Sequence, residues 1–353
     1  MKRALAEIRL PGIVKNVGAV RAYLAPATEI MGVVKADAYG HGAVTVARTL
    51  LRHGVGYFGV AWVSEADELR RNGITAPILV LSEPDVQYIP KIVEQQLVQT
   101  VYRESFVEAL SRTAGKQTVK VHIKVDTGMN RIGVAPEQLP RLLEKIKKLK
   151  NIEIEGLFTH FSCADQKDNP LNKKQIRLFD GLVAEVKRDI ELRYVHMANS
   201  AAAENFPQVH YDMIRLGIGM YRGVMTFRSR VMYVKDVPAN QPVSYGATYT
   251  TKQQTRIATI SVGYADGYDR HLSNRGTVLI RGQRFPIVGV VCMDMCMVDV
   301  TGSAVAEGDS VVLIGTDGKE TITAQDVATL VGTIDYEIMC GISKRVPRIY
   351  IEE

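Results

Sequence analysis

The stretch "MGVVKADAYGHGAVTVARTLLRHG", residues 31–54, holds the fold in miniature. An uncharged apolar run ends at Lys35, and glycines at 40 and 42 then break the chain. From Ala43 apolar residues recur at 46, 47 and 50, with threonine and arginine between them, which is the period of a helix with one buried face. Strand, loop and amphipathic helix in that order make one β/α unit. The lysine is its oddity, because a cation at the end of an apolar strand either snorkels to solvent or takes part in chemistry there.

The alternation continues outward from this unit. Strand-like runs "EIMGVVKA", "YFGVAW", "PILVLS", "LVQTVY", "VKVHIKVD", "IEGLFTHF", "RYVHMA" and "DMIRLG" give eight strand candidates. Helical patterns such as "SEADELRRNG", "ESFVEALSRTAG" and "KQIRLFDGLVAEVKRD" separate them. Eight such units predict an α/β fold, a (β/α)8 TIM-type barrel over residues 1–228. Near residue 228 the rhythm changes to short β runs with a single clear helix, "TAQDVATLV", so residues 229–353 read as a mostly β C-terminal domain. The first strand, residues 5–10, precedes the barrel units and is free to pack with that second domain.

Composition excludes several classes. With 353 residues and 46% apolar content the chain can build two cores, and disorder is not the reading. No run of about 18 uncharged apolar residues is present, and Glu7 and Arg9 sit where a signal peptide needs its apolar stretch. A soluble cytoplasmic protein without a membrane partner is expected. Cys163, Cys292, Cys296 and Cys340 are too few and too scattered for a disulfide scaffold or a zinc site, so reduced thiols and no metal are expected. Cys292 and Cys296 in "CMDMC" are expected on one face of a strand. The net charge of +6 does not imply nucleic acid, since the densest basic run, "EKIKKLK" at 144–150, is the solvated side of an amphipathic helix. Anionic small molecules suit the charge better.

In such barrels the active site lies at the C-terminal ends of the strands. Lys35 closes the first strand, Arg131 follows the fifth and His160 closes the sixth. His196 ends the seventh, with Asn199 and Ser200 just beyond, and Arg215 lies in the eighth. Alone, a strand-end lysine is usually a surface residue and a strand-end histidine usually a core one. Independent structural residues have no reason to choose the same rim. Ser200 reads as a helix cap, and "LGIGMY" offers free N–H groups of Gly217 and Ile218 at the usual phosphate position of a barrel. A phosphorylated cofactor that condenses with a lysine is pyridoxal 5'-phosphate.

At this point "VVKADAYGHG" resembles the cofactor-lysine motif of alanine racemases. The resemblance runs almost the whole chain through "KVDTGMNRIG", "LFTHFS", "HMANSAA", "RLGIGMY", "VSYGATY", "VGYADGY", "CMD" and "RVPR". It implies that Lys35 bonds the cofactor, that Tyr39 and Ser200 hold its phosphate with the backbone of Gly217 and Ile218, and that Asn199 lies beside them. Arg215 is then the partner of the pyridine nitrogen, oriented by His196. Interconversion of L- and D-alanine needs an acid–base group on each face of the substrate, and the resemblance gives these roles to Lys35 and Tyr264. It places Tyr264 at the barrel mouth of a second subunit, which makes a homodimer with shared sites, and gives His160 a hydrogen bond to Tyr264. Arg131 and the backbone of Met293, flanked by Asp294, bind the substrate carboxylate or its surroundings. Lys124 is the position that many members carry carbamylated. The product would supply D-alanine for cell-wall peptidoglycan.

Two positions depart from the pattern. Lys344 stands where "ISYRVPR" has tyrosine, and Val290 stands where an arginine often precedes "CMD" by two residues. A wider or differently charged pocket would favour serine or a broader amino-acid range. A cofactor carrier without turnover is the reading from another class, opposed by the β-rich second half. A decarboxylase on a related plan is opposed by Arg215, since such enzymes pair the pyridine nitrogen with a carboxylate.

Overall fold

The computed structural model describes residues 3–352. Strand β1 (Ala4–Arg9) belongs to the second of two large sheets. The first sheet contains β2 (Glu29–Val33), β3 (Tyr57–Val60), β4 (Ile78–Val80), β5 (Val98–Val101), β6 (Val119–Lys124), β7 (Ile152–Phe158), β8 (Tyr194–His196) and β9 (Met213–Leu216). All neighbours pair in parallel in the order β8-β7-β6-β5-β4-β3-β2-β9. The strands are almost wholly buried, as expected when helices cover a parallel sheet on its outer face. The seam between β8 and β9 is bridged by Asp212 N–H to Val195 O (3.2 Å) and Arg215 N–H to Ala198 O (2.9 Å), so the sheet nearly closes into a barrel. One apolar cluster takes Met31, Tyr57, Leu79, Val98, Tyr194 and Met213 from six of the eight strands. The other two, β6 and β7, contribute buried polar residues, His122 and Glu155.

In the second sheet β10 (Met225–Val237) is central. It pairs antiparallel with β1, with Ser310–Asp317 and with Thr255–Ile260. Alternation decides how β1 packs: Ala4, Ala6 and Ile8 are buried, while their neighbours point outward. On its other edge β1 pairs in parallel with Arg348–Ile351. The chain divides into two compact units. One comprises the residues up to Ile13, Tyr39–Gly42 and the residues from Tyr221 on, and the other comprises Val14–Ala38 and Ala43–Met220. The second-sheet unit therefore begins slightly before the change of rhythm near residue 228.

Several local expectations are corrected. A second helix, Asp335–Gly341, follows Ala324–Val331; at seven residues it is too short to show a period. Cys292 and Cys296 do not share a strand face. Cys292 N–H bonds to Met295 O (2.9 Å) in a tight turn, and the strand starts only at Cys296. The run "QRFPIVGVVCM" is extended only over Gln283–Pro286. Asn199, not Ser200, caps the helix Ser200–Asn205, with its side chain accepting from Ala202 N–H (2.9 Å).

Candidate active site

Lys35 follows β2 by two residues and opens a turn that sequence reading missed. Ala36, Asp37, Ala38 and Tyr39 all have φ between 52° and 54°, a full turn of left-handed helix without glycine. Each such residue costs about 1–2 kcal/mol, so surrounding contacts must hold the turn. Ala36 N–H donates to Glu65 Oε1 (2.7 Å), Ala38 N–H to Val34 O (2.9 Å) and Ala43 N–H to Asp37 Oδ1 (2.7 Å). Glu65 also accepts from Ala61 and Trp62, which ties the turn's entry to the loop after β3. The ring of Tyr39 packs on Tyr221 at 5.1 Å. The cation at position 35 is thus presented by a strained, over-determined backbone.

Arg215 organises the rim. Its Nη1 donates to His196 Nδ1 (2.8 Å) and His196 O (3.2 Å). Its Nη2 meets Thr159 O (2.8 Å), Met197 O (3.0 Å) and His160 Nδ1 (3.0 Å). A guanidinium only donates, so both histidines accept at Nδ1 and, when neutral, carry their proton on Nε2. Burial, reinforced by the Arg215 charge, holds His160 and His196 well below the usual histidine range. Lys124, Arg131 and Lys35 also act on His160, so four cations face one ring. Burial draws Arg215 down to about 9, still charged at neutral pH. No described residue accepts a hydrogen bond from its Nε–H.

Lys124, at the end of β6, is buried over the Phe158 ring (5.0 Å) and forms no ion pair among the described residues. Burial, then Arg215 and Arg131, lower it to about 7. The loop that follows is shaped by Asp126, whose Oδ1 accepts from Gly128, Met129 and Asn130 N–H at 2.9–3.0 Å; it leads to an exposed Arg131. Beyond β9, Ser200 Oγ accepts from Gly217 N–H (3.0 Å) and Gly219 N–H (3.2 Å). The Gly217 N–H is therefore not free, contrary to the sequence reading. Both lone pairs of the hydroxyl are in use, and its own proton has no acceptor among the described residues. Ile218 stands between these two glycines.

The second unit builds a separate constellation. Tyr264 is exposed on a one-turn helix, with its N–H bonded to Cys292 O (3.0 Å) and Ala265 N–H to Met293 O (3.1 Å). Gly263 permits this approach, because a Cβ there would lie 2.2 Å from Cys292 O. Asp266 is fully buried, accepts from Gly263 N–H (3.1 Å) and pairs with Arg3. Arg345 bridges Asp266 (3.5 Å) and Asp294 (2.7 Å), fixing the exposed Met293 turn beside Tyr264. Lys344 is exposed and Val290 buried.

Thus the barrel unit brings together Lys35, Lys124, Arg131, His160, His196, Asn199, Ser200, Arg215, Gly217 and Ile218. The other unit gathers Tyr264, Met293 and Asp294, with Tyr39 elsewhere on it. Glu65, Thr159, Arg345, His122 and Glu155 escaped sequence reading. Each acts through hydrogen bonds between elements far apart in the chain, which no local pattern signals.

The residues present fit pyridoxal phosphate. Two donors, Arg215 Nε–H and the Ser200 hydroxyl, have no acceptor among the described residues and suit a ring nitrogen and a phosphate oxygen. Comparison with known proteins agrees with this chemistry. The alanine racemase N-terminal domain family matches residues 8–224, and the C-terminal domain family matches residues 224–350. An alanine racemase of Halothermothrix orenii is 45% identical, covering 98% of this chain and 96% of its own. One of Carboxydothermus hydrogenoformans is 44% identical over 99% of this chain and all of its own. The crystal structure of alanine racemase from E. faecalis superposes with a TM-score of 0.95 at 38% identity, covering 99% of this chain and 98% of its own. The chain belongs to the alanine racemase family.

Proposed function

We propose that the chain interconverts L- and D-alanine with pyridoxal 5'-phosphate as cofactor, using Lys35 and Tyr264 as its two acid–base groups. Alanine racemisation and the cofactor follow from membership of the family. The residue roles rest on the arrangement described above. Bound, the cofactor supplies an electron sink that makes the α-proton of an amino acid removable. Lys35 would hold it through its amine, the Ser200 hydroxyl with the Ile218 backbone would hold its phosphate, and Arg215 Nε–H would donate to its ring nitrogen. Arginine cannot surrender that proton at neutral pH, so Arg215 holds the ring nitrogen without protonating it. The Lys35 amine moves the α-proton on one face of the substrate and the Tyr264 phenol on the other. Arg131 and the Met293 backbone bind the substrate carboxylate or its surroundings.

The pair of donors without acceptors among the described residues carries the cofactor assignment. We also propose a homodimer in which Tyr264 of a second copy completes each site. Its support is that Tyr264 is exposed beside the half-exposed Met293 on the second unit, a unit that also leaves Tyr245, Met232 and Tyr233 more than half exposed. No helix of the described residues is long and apolar enough to cross a membrane. None of the described cysteines is in a disulfide, which suits a reducing cytoplasm. A D-alanine supply for the cell wall is the role this activity would serve.

Lys124 is proposed to carry a carbamate. An amine lowered to about 7 is about half unprotonated in neutral solution; the free amine attacks CO2 and loses a proton, and the resulting anion faces Arg131 and Arg215 where the cation was repelled. The decisive test of the function is a chiral assay in deuterated water. Wild type should racemise alanine with solvent deuterium incorporated at Cα, and Tyr264→Phe should lose most racemisation while keeping the bound cofactor's visible absorption. Undiminished racemisation by that variant would rule out the phenol as the second group.

A further inference from the structure

Behind Arg215 a chain of hydrogen bonds runs through the barrel to its opposite end. His196 Nε2 lies 2.8 Å from His122 Nδ1, and His122 Nε2 lies 3.2 Å from Glu155 Oε2. Glu155 also accepts from Tyr57 OH at Oε2 (3.0 Å) and from Lys120 Nζ at Oε1 (2.7 Å). Its carboxyl is buried. It borders a cavity of about 910 Å³ at the N-terminal ends of the strands, lined also by Tyr57, Lys120, Glu153, Arg193 and Tyr194.

The direction of every bond in the chain is fixed by its two ends. Arg215 can only donate, so His196 accepts at Nδ1 and keeps its proton on Nε2. That proton needs an acceptor, so His122 presents a bare Nδ1 and carries its proton on Nε2. The last proton needs an acceptor in turn, and ionised Glu155, which can only accept, provides it. We propose that Glu155 is a positioning residue for the racemase site: from the far end of the barrel it sets the proton positions of His122 and His196 and thereby keeps an acceptor under Arg215. The proposal rests on the assignment of Arg215 to the cofactor's ring nitrogen.

Three observations support a built device. The two strands absent from the apolar cluster of the barrel are the ones that carry His122 and Glu155. Gly156 makes room for the ring, since a Cβ there would lie 2.7 Å from His122 Nδ1. Glu155 is held ionised although burial pushes it upward, because His122 and Lys120 donate to it. The charged and titratable groups that face it are Lys120 and His122 on β6, Tyr57 on β3, Tyr194 on β8 and, through Lys120, Glu153. Of these, Tyr57 also lies against the chain, its hydroxyl 3.3 Å from His122 Nε2; because that hydroxyl donates to Glu155, it leaves the His122 proton to the same carboxylate.

Glu155→Gln keeps the shape but has one strong acceptor oxygen for three donors, Tyr57, Lys120 and His122. An amide N–H turned toward His122 Nε2 favours the other tautomer, which sets N–H against N–H at His196 or, once His196 follows, at Arg215. The test is ¹⁵N NMR of histidine side chains in the full chain, with and without pyridoxal phosphate, beside alanine kinetics. In wild type, both forms should show the proton of His122 and His196 on Nε2. A proton on Nδ1 of either would overturn the proposal without any variant being made. Glu155→Gln should shift both histidines toward the Nδ1–H form even in the cofactor-free chain and lower kcat about 10-fold with KM for alanine little changed. Glu155→Asp should restore most of both, and Lys120→Ala should leave the tautomers as in wild type. Unaltered tautomers in folded Glu155→Gln, or an altered pair with unaltered kcat, would refute the role. Absence of racemisation in wild type would instead sink the proposed function and leave the tautomer result standing.

Discussion

Acidification should destabilise this fold through its histidines, and the size of the effect follows from their surroundings. His160 and His196 are held well below the usual histidine value of 6.5, and His122 is also lowered, in each case chiefly by burial. The unfolded chain takes up a proton on each as pH falls through about 6.5, while the folded chain does not. Stability from this source is therefore complete above that value and lost progressively below it. At pH 5.5 each neutral histidine costs about 1.4 kcal/mol, so His160 and His196 together remove about 3 kcal/mol and His122 adds up to another 1.4. That is a large share of an ordinary domain's stability of about 5–15 kcal/mol. The lowered carboxylates Asp67, Asp309 and Asp326 are ionised in both states at this pH and contribute little. Lys124, at about 7, is already mostly protonated in both states. The assay is calorimetric unfolding of the cofactor-free chain at pH 5.5 in buffers of different ionisation enthalpy, which counts protons bound on unfolding. About two to three protons should be taken up. Uptake of fewer than one would mean that the histidines are charged in the fold and that the hydrogen-bond directions assigned around Arg215 are wrong.

Arg215→Lys offers three N–H groups to five acceptors, of which His196 O is also served by Thr159 N–H, leaving at least one buried group unpaired at about 1–3 kcal/mol; urea unfolding should register a loss of at least about 1–3 kcal/mol. Ser200→Ala removes the acceptor of two backbone N–H groups along with the phosphate donor, and should weaken pyridoxal phosphate binding at least about 10-fold in a fluorescence titration. Gly263→Ala forces the Tyr264 turn off Cys292 O at a cost of about 1–3 kcal/mol, and should lower kcat in the alanine assay more than it raises KM. Equilibration with ¹³C-bicarbonate at pH 8 should give a carbamate resonance that Lys124→Ala abolishes; a wild-type spectrum without it would mean that Lys124 stays a plain amine.

The barrel was legible because its strands are short apolar runs and its helices carry a buried face, patterns that survive in one dimension. Lys35, Arg131, His160, His196 and Arg215 could be placed on one rim because position at a strand's C-terminal end is itself a sequence property. What stayed hidden depends on pairings across the fold. Nothing in "ADAY" marks four left-handed residues, since the usual signal is glycine and here Glu65 and Asp37 hold the turn instead. Asn199 and Ser200 were exchanged as helix cap because both residue types cap equally well, and only the demand of the Gly217 and Gly219 N–H groups for an acceptor decides between them. The helix Asp335–Gly341 was lost between glycines at 332 and 341, too short for periodicity to emerge.

The rim has an electrostatic character that only the assembled structure reveals. Four cations, Lys35, Lys124, Arg131 and Arg215, act on the neutral His160, while Asp126, a carboxylate that acts on Lys124, spends its Oδ1 on three backbone N–H groups. Like charges so gathered repel one another, and a fold keeps them only where something negative repays the cost. A phosphate beside Ser200, a substrate carboxylate beside Arg131 and a carbamate on Lys124 are three anions of the required sign. A buried carboxylate, Glu155, lies at the other end of the hydrogen-bonded histidines. There it steadies the tautomers without neutralising the rim, which leaves the positive field for the ligands.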